Sequence, residues 1–249
     1  MGNGQERLQK VIAQSGLTSR RKAEQLILAG KVKVNNKVVT TLGVKVSPQD
    51  EITVNNIPIE KEEPVYYLFN KPREVISSLA DDKGRAVITD YLSDIEARVF
   101  PIGRLDYQTS GLLLLTNDGE FANLLMHPRY GVEKVYVAKV RGVATKQDLQ
   151  RMIKGVKDKG EVLKAVRYKI LSVDPKKKSS IIQITLREGK YRHIRRMMEQ
   201  LGYPVIRLTR ERYGMLTLDG VPSGQYRPLT PHEVKQLRNL ALKNVKKNS

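Results

Sequence analysis

Four consecutive leucines at residues 112–115 constrain this chain more than any other feature. An apolar residue at every position of a strand means that both of its faces are covered, so most of the chain is expected to close around an interior sheet. The leucines belong to residues 103–119, GRLDYQTSGLLLLTNDG, where a polar loop with one carboxylate, Asp106, lies between two apolar runs. Gly103 and Gly111 allow tight backbone at either end, and Asn117-Asp118-Gly119 reads as a turn leading into a helix. Spacing alone favours Asp106 as an ordinary loop aspartate closing an Asx turn, and Asp118 reads as structural.

Around this segment the chain is rich in strands. Residues 65–69, 99–102, 112–116, 135–140, 180–186 and 205–209 are β-branched or apolar runs bounded by Gly, Pro or Asn. Helices fit 120–126, 146–154 after Thr145, 193–201 and 231–244. The last has an explicit start, with Thr230 as cap, Pro231 at the first helical position and Glu233 completing a capping box. Strands outnumber helices and mostly alternate apolar with polar, which predicts an α+β fold: a mixed, mainly antiparallel sheet with flanking helices.

The first 64 residues read differently. A helix over 6–14 carries Leu8, Val11 and Ile12 on one face and stops at Ser15-Gly16. Thr18 or Ser19 caps a second helix with the stripe Ala23, Leu26 and Ile27, which leaves through Gly30. A hairpin follows, 32–34 and 37–39 around Asn35-Asn36, then a short strand over 50–54. Residues 58–64 (PIEKEEP) read as a linker. The division expected is a small unit with its linker, 1–63, a larger unit, 64–242, and a frayed basic tail, 243–249.

Charge narrows the partner. The chain has 45 Lys plus Arg against 26 Asp plus Glu, a formal net charge of +19. Residues 129–214 hold 23 basic and eight acidic residues, net +15, whereas 65–128 are net −3. Uncompensated charge repels itself, so a surface that binds nucleic-acid phosphates explains the excess better than a solvated face. Cys is absent and His is confined to His127, His193 and His232. That excludes disulfides, iron–sulfur clusters and Cys nucleophiles, argues against a His-rich metal site, and fits a reducing cytoplasm. No apolar run approaches the ~18 residues of a membrane span, and the start lacks an apolar signal-peptide core, so a cytoplasmic protein free of the membrane is expected.

Three further stretches carry side chains suited to chemistry. In residues 189–198, GKYRHIRRMM, Ile194, Met197, Met198 and Leu201 make an apolar helical stripe that leaves Arg195 and Arg196 outside it. Lys190, Arg192, Arg195 and Arg196 lie within seven residues with no acidic residue among them, interleaved with Tyr191 and His193. Cations mixed with stacking rings suit RNA better than duplex DNA, although solvated arginines have the same pattern. Tyr136 shares a strand face with Ala138 and Val140, the position of a core tyrosine with its hydroxyl satisfied. Lys71, in Asn70-Lys71-Pro72, either contacts phosphate or merely ends a strand.

Taken in order, these motifs resemble one family. NKP at 70–72, GRLDYQTSGLLLLTNDG at 103–119, KVY at 134–136 and HIRRM at 193–197 resemble the pseudouridine synthases of ribosomal RNA, the large-subunit type most closely. The first 60 residues resemble an S4 RNA-binding domain. The resemblance implies that Asp106 is the nucleophile of a reaction that cleaves the N1–C1′ bond of a uridine, turns the uracil and rejoins it through C5. Nothing is oxidised and no phosphate moves, so neither cofactor nor metal is expected. It implies Arg195 held against that carboxylate, Tyr136 lying against the uracil with a role in late proton transfer, and Ile194 on the other side of the base. Arg104 is implied to fill the gap left by the flipped nucleotide, because the reacting atoms cannot be reworked within a stacked helix.

Lys71, Arg192 and Arg196 are expected as further RNA contacts. In the S4-like unit, Arg20, Arg21 and Lys22 at the start of the second helix, with Lys31, Lys33 and Lys37 near the hairpin, are expected to position phosphates without reading sequence. Two departures stand out: Arg73-Glu74 occupies a place where the family often has Gly, and His193 stands where Gln is common. The expected partner is ribosomal RNA of the large subunit, met by a monomer. A small-subunit RNA target and a non-catalytic ribosome-assembly factor are the alternatives, and the presence of Asp106, Tyr136 and Arg195 favours the enzyme.

Overall fold

A computed structural model describes residues 4–248. One compact unit holds the described residues through Val65 together with Ile95–Val99; the other holds Tyr66–Asp94 and the chain from Phe100 onward. The return of Ile95–Val99 to the first unit left no signal in the sequence.

The first unit comprises β1 (Glu6–Arg7), α1 (Leu8–Gln14), α2 (Arg20–Leu28), β2 (Val32–Val34), β3 (Lys37–Val38), β4 (Lys45–Val46), β5 (Ile52–Val54) and β6 (Ile57–Pro58). The first helix begins two residues later than periodicity suggests, because Glu6 and Arg7 pair with Val46 and Lys45. Ser19 caps α2, accepting a hydrogen bond from the Lys22 amide. Asn35 and Asn36 both adopt positive φ (48° and 65°), which matches the twist of a two-residue hairpin. Asn55-Asn56 repeats that geometry (50° and 64°), so β5 and β6 form a second hairpin that ends at Pro58, the first residue of the expected linker. Ile59 also packs on the core of Leu8, Ile12, Ala23, Ile27, Val32 and Val54. The prolines at 58 and 64 concealed this alternation.

The second unit comprises β7 (Tyr66–Lys71), β8 (Phe100–Pro101), β9 (Thr109–Thr116), α3 (Gly119–Met126), β10 (Lys134–Arg141), α4 (Lys146–Lys154), β11 (Val156–Asp158), β12 (Glu161–Leu163), β13 (Arg167–Asp174), β14 (Ser179–Leu186), α5 (His193–Gln200), β15 (Val205–Tyr213), β16 (Leu216–Thr217), β17 (Tyr226–Pro228) and α6 (Pro231–Asn248). A nine-stranded sheet runs β13-β14-β10-β15-β9-β7-β17, with β16 paired to β15 and β8 to β9. Its pairs are antiparallel except β15 with β9, so the sheet is mixed and mainly antiparallel. All four leucines of β9 are buried. Leu112 and Leu114 pack on Phe121 and Leu125 of α3 and on Leu237 and Ala241 of α6; Leu113 and Leu115 alternate onto the other face.

Helix starts follow the side chains that mark them. Asp118 and Thr145 cap α3 and α4. Thr230 Oγ1 accepts from the Glu233 amide at 3.2 Å while Glu233 accepts from the Thr230 amide at 2.8 Å, the reciprocal box expected. That last helix continues to Asn248, so residues 243–248 extend it where a frayed tail was expected; Ser249 lies outside the described residues.

The parallel pair fixes the site. Leu208, Thr209 and Arg210 run beside Thr109, Ser110 and Gly111. The loop before β9 and the helix before β15 therefore enter the sheet at the same end, although they are far apart in sequence. Gly111 has φ of +111°, and a Cβ there would overlap the Arg210 carbonyl oxygen, so a side chain at this position would part the two strands.

Candidate active site

Asp106 lies at the tip of the loop that feeds β9, and three backbone clamps set its position. The buried Ser77 hydroxyl donates to the Leu105 carbonyl (2.8 Å) and accepts from the Leu105 amide (3.0 Å). The Glu74 amide donates to the Tyr107 carbonyl (2.6 Å), and the Thr109 amide to the Asp106 carbonyl (2.9 Å). Glu74 adopts a φ of +60°, the left-handed conformation that a glycine takes most easily. Lys71 is fully buried behind the loop, with its ammonium on the Pro72 and Val75 carbonyls (2.9 and 2.7 Å). Burial lowers its pKa to about 8, against the attraction of Asp106. Lys71 is therefore no phosphate contact. It contributes positive charge from beneath the Asp106 loop.

Arg195, on the first turn of α5, reaches the same loop. Its Nη2 donates to the Gln108 carbonyl and to Thr109 Oγ1, both at 3.1 Å, and its Nε lies 4.0 Å from Asp106 Oδ2. Burial lowers the Arg195 pKa, as does the nearby Arg192 charge, while Asp106 opposes both. The fork thus holds the loop by its backbone and leaves the carboxylate next to a charge that does not occupy it.

Asp106 opens onto a cavity of about 680 Å³, and it is the one carboxylate among the lining residues. Arg104, Tyr136 and Ile194 line it too, as do Lys134 and Arg210. Ile194 is buried in the packing of α5 and also faces the cavity, so its core and site readings hold together. Tyr136 belongs to a strand face with Ala138 and Val140 and is almost wholly buried; its hydroxyl accepts from Arg210 Nη1 at 3.4 Å. A concave, half-open space of this size with a few convergent polar groups suits a small planar ligand.

The model of the RNA pseudouridylate synthase family matches residues 65–200. The chain belongs to the RNA pseudouridine synthase family. An S4 domain matches residues 6–52. The chain is 59% identical over 237 residues to ribosomal large subunit pseudouridine synthase B of Bacillus subtilis, covering 95% of this chain and 97% of the relative. It is 38% identical over 237 residues to the dual-specificity RNA pseudouridine synthase RluF of Escherichia coli, covering 94% and 79%. A solved pseudouridylate synthase superposes with a TM-score of 0.64 at 29% identity, over 93% of this chain and 99% of that one.

Within the synthase, the basic residues proposed from sequence separate into different environments. Arg104 and Arg192 are exposed at the cavity rim. Arg196 is not free for RNA: it bonds Asp158 (2.5 Å), Glu161 (2.7 Å) and the Tyr191 carbonyl, and so ties the β11–β12 hairpin to α5. Those acidic partners lie 35 to 38 residues upstream, beyond any local count of charge. His193 is buried against the Lys164 carbonyl, and burial lowers its pKa, so it is a packing group rather than an exposed stacking ring. In the S4 unit, Arg20, Arg21 and Lys22 are exposed on the first turn of α2, Lys31 and Lys37 are exposed, and Lys33 is half-buried. Along the large sheet, Lys139, Arg141, Lys169 and Arg207 are exposed where their strands alternate away from the core. Ser77 and Arg210 have no sequence signal for the site beyond their chemical type, whereas Lys134 opens the KVY motif. Among the described residues no helix is long and apolar enough to cross a membrane.

Proposed function

We propose that this synthase converts a uridine of large-subunit ribosomal RNA to pseudouridine, with Asp106 as the nucleophile. The observation that supports this most is a lone carboxylate, 29% exposed, opening onto an otherwise basic and aromatic cavity with a guanidinium 4.0 Å away. A flipped uridine fits between Tyr136 and Ile194, with Asp106 facing the sugar–base bond and Arg104 at the rim to occupy the space vacated in the RNA stack. Arg195 sets a positive charge beside Asp106 and limits its rotamers, and Tyr136 is placed to take up or return a proton as the new bond forms. These side chains come from one chain, so a monomer suffices. The large-subunit target is supported by the relative in Bacillus subtilis, which carries that name at 59% identity. As a ribosomal RNA modifier the synthase acts in the cytoplasm.

Phosphate contacts position such an enzyme on folded RNA. Arg20, Arg21 and Lys22 of the S4 unit, Arg192 at the rim and the exposed cations of the large sheet supply them. If about five phosphates are neutralised, log affinity should fall by ~0.7–0.9 per contact with log salt, and a nearly flat dependence would remove these residues from the interface. The deciding experiment maps pseudouridine in ribosomal RNA from a strain lacking the protein. Loss of one large-subunit site, restored by the wild-type chain, is the expected result. A missing small-subunit site would reassign the substrate, and no missing site would leave a binding role alone.

A further inference from the structure

Two cations at the base of the cavity have no part in the chemistry above. Lys134 and Arg210, on the adjacent strands β10 and β15, are 8% and 3% exposed and line the same space as Asp106. Arg210 Nε donates to the Leu112 carbonyl at 2.7 Å and Nη1 to the Tyr136 hydroxyl; Nη2 is buried and donates to nothing among the described residues. Lys134 donates to one acceptor, the Arg187 carbonyl, at 3.4 Å. Both lie over the Tyr213 ring, at 5.3 and 5.2 Å from its centroid. Among the described residues no carboxylate pairs with either; the ion pair of Asp106 is with Arg195.

Two like charges buried side by side are costly, because neither keeps its hydration and each raises the energy of the other. Burial, with the Arg210 charge adding to it, brings the Lys134 pKa down to about 8. Apolar side chains of similar volume would hold the sheet without that cost. Such an arrangement is stable in use only if negative charge reaches it.

The isomerisation generates that charge. When N1 and C1′ separate, the electron pair stays on N1 and spreads to the ring oxygens. As N1 leaves, an Asp106 oxygen bonds to C1′; the ring then turns, C5 forms the new bond to C1′ and displaces the Asp106 carboxylate, the C5 proton leaves to a base and N1 gains a proton, so atoms and electrons balance. We propose that Lys134 and Arg210 form an anion site for the detached pyrimidine ring, holding it while it turns between its two attachments. The site acts on charge that exists only after the bond begins to break, so it lowers the barrier without tightening the binding of intact RNA. This rests on the reading that the flipped uridine occupies this cavity.

The test compares two substrate RNAs in single turnovers, one with uridine and one with 5-fluorouridine at the modified position. Fluorine withdraws electrons and makes N1 a better leaving group, so the ring needs less help from the protein. Lys134→Met and Arg210→Met are expected to slow cleavage of the uridine bond by about 10²-fold. The 5-fluorouridine bond should slow at least tenfold less, and RNA affinity should stay within about threefold. Lys134→Arg and Arg210→Lys should recover part of the rate. Arg210 also supports the sheet through Leu112, so Lys134→Met, which gives up a single long hydrogen bond, carries the test if Arg210→Met fails to fold. Its thermal midpoint should hold or rise as an uncompensated ammonium leaves the interior. Equal slowing of both substrates, or no slowing, overturns the proposal. Failure of the underlying reading looks different: Asp106→Asn would then still cleave both substrates.

Discussion

Asp106 and Asp118 stand on either side of the same buried strand, and each faces an arginine delivered by a distant helix. Their surroundings differ. Asp118 is filled: Oδ1 accepts from the Glu120 and Phe121 amides, both at 3.0 Å, and Oδ2 from the Tyr66 hydroxyl and Arg238, both at 2.8 Å. Asp106 accepts no hydrogen bond at its carboxylate from the described residues, and its arginine spends its donors on Gln108 and Thr109 instead. A carboxylate whose lone pairs are all taken joins elements together and is a poor nucleophile. One whose neighbours leave its oxygens unoccupied remains able to attack. The same residue type, twelve positions apart, thus becomes a joint in one place and a reagent in the other.

The largest effect expected from this contrast is in activity. Asp106→Asn should lower the single-turnover rate of pseudouridine formation by at least about 10³-fold, or ~4 kcal/mol of barrier. RNA affinity should stay within a few-fold and the urea midpoint should not move. An Asn variant that modifies RNA at the wild-type rate would break the comparison outright. Next is Gly111→Ala, where the new methyl meets the Arg210 backbone in a left-handed conformation. It should destabilise by about 3 kcal/mol or more in urea unfolding, because β9 and β15 must separate to accept it.

Arg195→Lys keeps a charge near Asp106 but loses the fork that holds Gln108 and Thr109, and the rate should fall by about 10–100-fold. Arg238→Lys, at the filled aspartate, should leave the rate unchanged. A matching loss in both would mean that the two arginines do the same work. Asp118→Ala should cost about 1–2 kcal/mol of stability, as loss of a helix cap with a buried partner does, with turnover intact once folded.

The smallest effect is in pH. Burial pushes the Asp118 carboxyl up, but the Phe121 and Glu120 amides, the Tyr66 hydroxyl and Arg238 outweigh it and hold the group below the usual range. A carboxylate with a depressed folded value contributes stability above its unfolded value of about 3.9 and loses it as pH falls through the folded value. Chemical denaturation between neutral pH and the acid limb should therefore show wild type losing more stability than Asp118→Asn. Identical acid limbs would show that the four bonds to Asp118 carry no net stabilisation.

Sequence reading was most successful where the controlling contacts are local. The start of α4 after Thr145, the box at Thr230 and Glu233, and the Asn35-Asn36 hairpin depend on atoms a few residues apart. It missed β13, whose charged and apolar residues do not alternate cleanly: its pairing comes from β14 and includes a register shift between Ile170 and Ser172. It misplaced Lys71 because a lysine after a strand gives no indication of burial. It overvalued Arg196 because Asp158 and Glu161 are distant in sequence. The S4 hairpin at Asn55-Asn56 is legible in principle, since the same dipeptide at 35–36 reads as a turn.

The sequence by itself determined the caps, the tight turns, the interior strand of leucines and, through its ordered motifs, the reaction class, because each depends on residue type at short spacing. Tertiary structure alone decided which charges are used and how. The parallel pairing of β15 with β9 brings Arg195 to Asp106. The crossing of α6 fills Asp118, and the depth of β10 and β15 leaves Lys134 and Arg210 without a carboxylate partner among the described residues. Charge in a protein takes its role from solvent access and from the groups within a few ångströms, and neither is fixed until distant segments meet.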